Sequence, residues 1–428
     1  MSDMLALEPR LARVTELRTA LWQNREALIG AAIEDCAFTY RENAMEVQTI
    51  QDRLAGFPDM APIFDRRRPL AGPGQEVALI LPYNGSAWLN TAILSIYLVG
   101  NRVRVKFASR DSHISRLTES LYRPIFGDAI RFDYGSGRRF MEWAINSPDV
   151  PAICMFGADN HALQYEAAIK EHRKKFVFEG PGKDPFIVLA GASLEAAARE
   201  LAFAKYLYAG QTCTAPERVY VQEGVYDEFV RIFLDLSRRV RLGDPADPAT
   251  EMGPVISDLA LKAIRAQLQD AAARGGKIAL GGDLQGRLVP PTVVLEATQE
   301  MRGMQDETFG PVAFLARFRE PEEAIALARD SRYGLRATVY GGAAEAEAVG
   351  RALVGEPYCH PVESMRFGVF GTVSVNQPRS ESWVGAFVWK PVGGYGYSGW
   401  IWEPAPDGAF ILKQGPKLLS LETSVEEG

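Results

Sequence analysis

One stretch, GQTCTAPERVYV at residues 210–221, sets a cysteine between two threonines just ahead of a short apolar run. The chain has four cysteines, Cys36, Cys154, Cys213 and Cys359. None is spaced like a metal knuckle, and so few make no disulfide scaffold. Cys213 therefore has three readings: packed residue, metal ligand or nucleophile. Reactivity belongs to the thiolate and depends on surroundings. A helix pattern ends at Gly210 and a strand pattern begins after Cys213, and such a junction exposes the backbone N–H groups that an oxyanion needs. The same context suits a small packed hydrophobe. A second candidate is Glu179 in FEGPGKDPFIV, where a strand ends and glycines and a proline turn the chain. A carboxylate at a strand end can serve as a general base, although a solvated loop acid is the commoner fate of a single glutamate. A third is Asn84 in LPYNGSAW, whose amide can donate to an oxyanion or cap a helix. The histidines are His113, His161, His172 and His360. No pair of them has ligand spacing, and Cys359-His360 lies in a loop-like GEPYCHPVES, so no metal centre is expected.

These residues need elements to hold them. The 428 residues carry a net charge of −7, with 47% hydrophobic residues, an ordinary soluble composition. With no basic excess, nucleic acid is excluded as a partner. The N-terminus has no apolar secretory core, and no run reaches membrane-spanning length. A reducing, cytoplasmic setting is expected. Residues 8–56 follow helical periodicity in two runs, LARVTELRTALWQNREALIGAAIEDC and TYRENAMEVQTIQDRLAGF. From Val77 the texture changes to short apolar runs, VALILPY, RVRVKFA, DAIRFDY, AICMFG, KFVFEG and PFIVLAG, several of them separated by helical patterns. This alternation means an α/β fold with a mainly parallel sheet. A ligand is then expected at the carboxyl ends of the strands. From Ser193 the alternation restarts as a second α/β unit, with RVYVQEG, VPPTVVLEA, VAFLARF and ATVYGG as strands.

Taken in order, the motifs resemble the aldehyde dehydrogenase superfamily: Asn84 at a strand end, Lys106 in GNRVRVKFAS, Gly157 in MFGAD, Glu179 in EGPGK, Cys213 in GQTCTAPERV, then Glu307 and Phe309 in DETFGPV. RLGDPADPATEMGPVIS, VPPTVV, SRYGLRATVYGG, GTVSVN and GGYGYSG follow in the family's order, so the resemblance covers nearly the whole chain. It implies two doubly wound, Rossmann-like α/β domains plus a small β oligomerisation arm. The dinucleotide-binding domain would comprise residues 1–59 and 77–188, the catalytic domain 189–405, and the arm 60–76 and 406–428. It also implies that Cys213 is the nucleophile, that Asn84 and the Cys213 N–H hold the oxyanion, and that Glu179 activates water. Lys106 and Ser109 would lie on the adenosine side of the cofactor and Gly157 at its pyrophosphate. Glu307 and Phe309 would meet the nicotinamide half. The expected reaction is NAD(P)-dependent oxidation of an aldehyde to a carboxylic acid, by a homodimer.

Several departures refine these expectations. Phe107-Ala108-Ser109 replaces the family's Pro-Ser-Glu, which removes a carboxylate that would repel a 2′-phosphate. With Arg104 and Arg110 close by in sequence, this favours NADP over NAD. The pyrophosphate turn reads Gly157-Ala158-Asp159-Asn160-His161-Ala162, which puts a carboxylate where phosphate would meet a helix N-terminus. The Gly-Pro-Gly turn after Glu179 also occurs in CoA-acylating members, which makes an acyl-CoA reductase the alternative. Trp88, Leu89, Thr212, Thr214 and Trp383 are candidate pocket residues. Phe387 and Trp389 either join Trp383 in an aromatic pocket or fill core. The short arm segment suits a dimer better than a tetramer.

Overall fold

The computed structural model describes residues 6–66, 70–84, 90–359, 365–378, 394–415, 417–421 and 424–427. The chain forms two compact units. The first runs through Glu179 and takes in Ile401–Lys413, and the second begins at Gly180.

The first unit is built on EVALI, β1 (Glu76–Ile80), a run apolar beyond its first residue because helices cover both faces of a parallel sheet. It pairs in parallel with β2 (Arg102–Lys106) on one side. On the other side it pairs with β4 (Ala152–Phe156). β3 (Ile130–Phe132) extends the first side and β5 (Lys175–Glu179) the second. Gly399–Pro404 and Phe410–Lys413 finish the seven-stranded sheet beyond β5. The chain winds outward in both directions from β1, so the topological switch lies between β1 and β4. Val77, Leu79, Val103 and Val105 pack with Leu17, Leu21 and Ile93 into its core.

The first helical run, read from sequence as continuous, breaks at Asn24 into Leu7–Gln23 and Arg25–Cys36. The Asn24 amide donates to the Ala20 carbonyl at 2.8 Å. A side chain that competes for helix acceptors in this way loosens the turn it sits on. The next helix, Tyr40–Gly56, ends where the sequence expects it, and Thr39 and Glu42 close a capping box at its start.

The second unit holds a nine-stranded sheet. β6 (Asp184–Val188) pairs in parallel with β7 (Pro216–Gln222) and with the strand Arg336–Tyr340. β10 (Val312–Phe318) joins β7 to β9 (Thr292–Leu295). β8 (Lys277–Leu280) closes that edge antiparallel to β9. On the other side lie Thr372–Val375, Leu418–Leu421 and Ser424–Glu427. β8 escapes sequence reading because three of its four residues face solvent, so no apolar alternation marks it.

Two parts of the expected organisation differ. The division falls at Glu179/Gly180 rather than after Val188, because β6 pairs within the second sheet. Of the segments expected to form a separate arm, Ala61–Arg66 is helical and Phe410–Lys413 belongs to the first sheet. Leu418–Leu421 and Ser424–Glu427 belong to the second. Among the described residues no helix is long and apolar enough to cross a membrane, and no group of side chains could hold a metal ion.

Candidate active site

In the second unit Cys213 lies between the helix Leu194–Tyr206 and β7. Tyr208, Ala209 and Gly210 all take left-handed φ values of 55°, 53° and 72°, which end the helix abruptly. Gly210 has no alternative, since a Cβ there would meet the Gly310 carbonyl oxygen at 2.2 Å. Gln211 is fully buried and ties the turn down. Its amide donates to the Tyr208 carbonyl at 2.9 Å and accepts from the Ile256 N–H at 2.8 Å. The Ala215 N–H then donates to the Thr212 carbonyl at 3.0 Å, closing a tight turn with Cys213 and Thr214 at its centre. Thr212, Cys213 and Thr214 are each partly exposed, and Cys213 is in no disulfide.

Two neighbouring loops press on this turn. Gly182 sits so close that a Cβ would lie 2.1 Å from the Cys213 carbonyl oxygen. The Gly182 N–H donates to Glu307 Oε1 at 3.1 Å. The Gly180 N–H donates to the Ser398 carbonyl at 2.9 Å, and the Ser398 hydroxyl donates to the Pro181 carbonyl at 2.6 Å. The Gly-Pro-Gly turn is thus fixed from both ends of Ser398. Phe309 adopts φ 50°, a conformation that a bulky residue holds only when its surroundings force it.

Beneath these loops lies a dry ion pair. Lys183 Nζ donates to Glu217 Oε2 at 2.7 Å, with the two side chains 0% and 2% exposed. Lys205 Nζ stands 3.7 Å from Glu217 Oε1. Burial by itself would raise the Glu217 carboxyl, but Lys183, Lys205 and the Thr308 N–H outweigh it and hold the group ionised below the usual carboxylate range. Glu307 is pushed the other way, well above that range, by burial first and then by the charge of Glu217. One site therefore contains two carboxyl groups with opposite tendencies.

This cluster stands at the amino ends of β6, β7 and β10, the opposite of the sequence expectation of carboxyl ends. The reason is local: loops entering strands present their backbone N–H groups outward, as at Gly182, and supply donors rather than acceptors.

The first unit does follow the carboxyl-end rule. Asn84 is in the partly exposed turn after β1, and Gly157 follows β4, so the two flank the topological switch. Lys106 ends β2, is buried, and donates to the Phe107 carbonyl at 2.5 Å. Burial pushes its ammonium group down in pKa. Phe107 is anchored by stacking on Phe132, with ring centroids 5.9 Å apart, and this leaves Ser109 and Arg110 exposed just beyond. The Gly157 N–H donates to the carbonyl of Glu179, the buried last residue of β5, at 3.0 Å. Asp159 Oδ1 accepts the Asn160 N–H at 2.9 Å, so the carboxylate noted in the sequence already takes one of the donors of its turn.

Arg104 is engaged elsewhere: it pairs with Glu76 at 3.2 Å and lies over Trp143 at 4.2 Å, whereas Arg110 is exposed beside Ser109 and lies 5.7 Å from the Tyr83 ring. The candidate pocket residues Trp88, Leu89 and Trp383, with Phe387 and Trp389, lie outside the described residues. Sequence reading noted the Gly-Pro-Gly turn that contains Gly182 but gave no role to Lys183, Glu217 or Gln211. The available signal was a lysine just before β6 and a glutamate near the start of β7, where a charge entering a sheet has to find a partner.

At the carboxyl end of β2 the chain presents a buried lysine, an exposed hydroxyl and a guanidinium in Lys106, Ser109 and Arg110, groups whose chemistry suits the adenosine end of a dinucleotide. The glycine turn after β4 offers open ground as well, with only Met155 Cε within 4 Å of a Cβ at Gly157, at 3.6 Å. Asp159 is the one group there that opposes a phosphate.

Residues 5–401 match the sequence pattern of the aldehyde dehydrogenase family, and the chain belongs to that family. An NADP(+) succinate-semialdehyde dehydrogenase of Deinococcus radiodurans is 37% identical over 203 residues, 47% of this chain and 43% of that protein. A salicylaldehyde dehydrogenase of Pseudomonas putida is 30% identical over 334 residues, 76% of this chain and 66% of that protein. The aligned parts thus span less than half of the first relative and just under two thirds of the second. The crystal structure of betaine aldehyde dehydrogenase from Staphylococcus aureus in complex with NAD+ superposes with a TM-score of 0.80 at 25% identity, over 95% of this chain and 82% of that one.

Proposed function

We propose that this chain oxidises an aldehyde to a carboxylic acid with NAD(P), using Cys213 as the nucleophile. The observation that carries the reading is the welding of the Cys213 turn to the loops of Gly182 and Glu307. A partly exposed thiol, a backbone fixed beneath it and a carboxyl group suited to ribose hydroxyls stand on three rigid loops.

In this reading the Cys213 thiolate adds to the aldehyde carbon. The Asn84 amide and the Cys213 N–H donate to the oxygen that becomes negative. NAD(P), held by Lys106, Ser109, Gly157, Glu307 and Phe309, would supply the acceptor for the hydride lost from the carbon bonded to Cys213, which leaves that carbon at the thioester level. Glu179 then takes a proton from water as the water attacks the thioester carbon, and the acid leaves as the thiolate re-forms. Gly182, three positions after Glu179 in the chain, packs on the Cys213 carbonyl, which supports that assignment. Thr212 and Thr214 border the aldehyde. Lys106, Ser109 and Gly157 receive the adenosine and pyrophosphate, and Glu307 and Phe309 the nicotinamide half. The exposed Ser109 and Arg110 favour NADP, which is also the cofactor in the name of the Deinococcus radiodurans relative.

Glu179→Gln is expected to slow hydrolysis of the thioester by about a hundredfold or more while the first turnover survives as a burst of reduced cofactor. Rapid-mixing absorbance reads both phases. An unchanged steady rate of aldehyde oxidation to acid would remove Glu179 as the base.

The reading includes a cytoplasmic setting, expected from the few cysteines, and a homodimer, implied by the family resemblance of QGPKLLSLETS at residues 414–424. Sedimentation should give twice the chain mass of 47.1 kDa, and a monomer at micromolar concentration would refute it.

A further inference from the structure

We propose that Glu217 is a positioning residue for this reaction, gripping the turn at 307–309 and holding it against the strand that leads from Cys213. The proposal rests on the reading of Glu307 and Phe309 as contacts of the nicotinamide half.

The grip is bidentate. The Thr308 N–H donates to Glu217 Oε2 at 2.7 Å and the Phe309 N–H donates to Oε1 at 2.8 Å. Two successive N–H groups on one carboxylate fix a turn in orientation as well as in distance. Phe309 is the residue held in the left-handed conformation, so the carboxylate secures the strained point of the turn. Glu217 stands four positions after Cys213, and a short, tightly turned segment joins the grip to the thiol.

A second clamp closes from the helix Asp258–Ala273. The Gln267 amide donates to the carbonyls of Asp306 at 3.3 Å and Glu307 at 3.1 Å, and its oxygen accepts from the Thr308 hydroxyl at 2.7 Å. Lys183 Nζ donates to both Glu217 and the Thr308 hydroxyl. Gln267 and Lys183 hold the hydroxyl and the carbonyls, and Glu217 holds the N–H groups.

A charge so deeply buried is costly unless it is paired, and neutral acceptors can hold a turn without that cost. What the charge adds is an influence on Glu307. The groups bearing on the Glu307 carboxyl are Glu217 from β7, Lys183 and Asp184 at the start of β6, and the Gly182 N–H. Lys205 bears on Glu217 from the helix Leu194–Tyr206. Glu217 and Asp184 disfavour ionisation of Glu307, whereas Lys183 and the N–H favour it. Loss of the Glu217 charge removes one opposing group and leaves Lys183 to act on Glu307, so Glu307 ionises at lower pH.

The test uses Glu217→Gln and Glu217→Asp in the full chain. Reduced-nicotinamide fluorescence measures NADPH and NADH binding across a pH series, and iodoacetamide measures the reactivity of Cys213 without cofactor. Glu217→Gln is expected to weaken binding about tenfold or more and to move the pH midpoint of binding downward, with Cys213 still alkylated. Glu217→Asp keeps the charge and should keep the midpoint, although its shorter reach weakens the grip. A purely structural ion pair leaves the midpoint where it is. Folded Glu217→Gln with unchanged affinity and midpoint overturns the proposal. Wild-type protein that binds neither cofactor overturns the functional reading along with it. Should Glu217→Gln fail to fold, the double variant Lys183→Met/Glu217→Gln leaves no unpaired charge from that pair; it is expected to weaken binding about tenfold or more with Cys213 still alkylated, and unchanged affinity overturns the proposal.

Discussion

Replacing Cys213 by alanine is expected to lower aldehyde-dependent formation of reduced cofactor by about a thousandfold or more, with the fold intact. Two of the other cysteines make the contrast. Cys36 is fully buried, and burial, followed by the adjacent Asp111 carboxyl, raises its thiol far above the usual range. Cys154 lies inside β4, where burial pushes its thiol up to about 12. Neither can form a thiolate near neutral pH or meet a substrate. Cys213 is partly exposed on a turn that follows the anchored Gln211 and is packed against Gly182. Cys154→Ala should therefore keep most of its turnover, and any loss should track thermal stability. Parallel assays and melting curves of the two alanine variants check this. Equal activity in both would remove covalent catalysis from the account.

Gly182→Ala is expected to cost about a hundredfold in kcat/KM, the size of effect that a displacement of roughly 1 Å produces at a reacting centre. The added methyl would sit 2.1 Å from the Cys213 carbonyl oxygen and 2.9 Å from Asp184 Oδ1. Neither neighbour can yield freely. Asp184 Oδ1 accepts the Arg336 N–H at 3.0 Å and is part of the sheet's own bonding. The Cys213 carbonyl belongs to the tight turn at 212–215. The Gly182 N–H also reaches Glu307, so the same shift disturbs the cofactor side. Gly56→Ala is the control, since nothing lies within 4 Å of a Cβ there. A Gly182→Ala enzyme with wild-type kcat/KM would show that the Cys213 backbone need not be held in place.

The local motifs were legible because their chemistry is written in adjacent residues. Cys213 between threonines after a helix-ending glycine, and Glu179 before a Gly-Pro-Gly turn, can be read from a few positions each. The strands β1 to β7 are short runs between turn residues, and the parallel centre of both sheets follows from that pattern, whereas the edge strands do not. What escaped depends on partners distant in the chain. Arg104 is spent on Glu76 and Trp143, a fact fixed only when β1 and β2 pair. The boundary at Gly180 depends on β6 choosing β7 and Arg336–Tyr340 over β5. Glu217 looks like one more charge in PERVYV until the turn at 307–309 folds onto it. The amino-end placement of the Cys213 cluster likewise follows from packing between loops rather than from periodicity.

The most direct measurement supplies the protein with a panel of aldehydes and NAD or NADP, leaves out CoA, and follows the absorbance of the reduced nicotinamide ring. The account predicts sustained production of reduced cofactor, matched one to one by carboxylic acid. No turnover with any aldehyde until an acyl-CoA and NADPH are supplied, with aldehyde as the product, would contradict it.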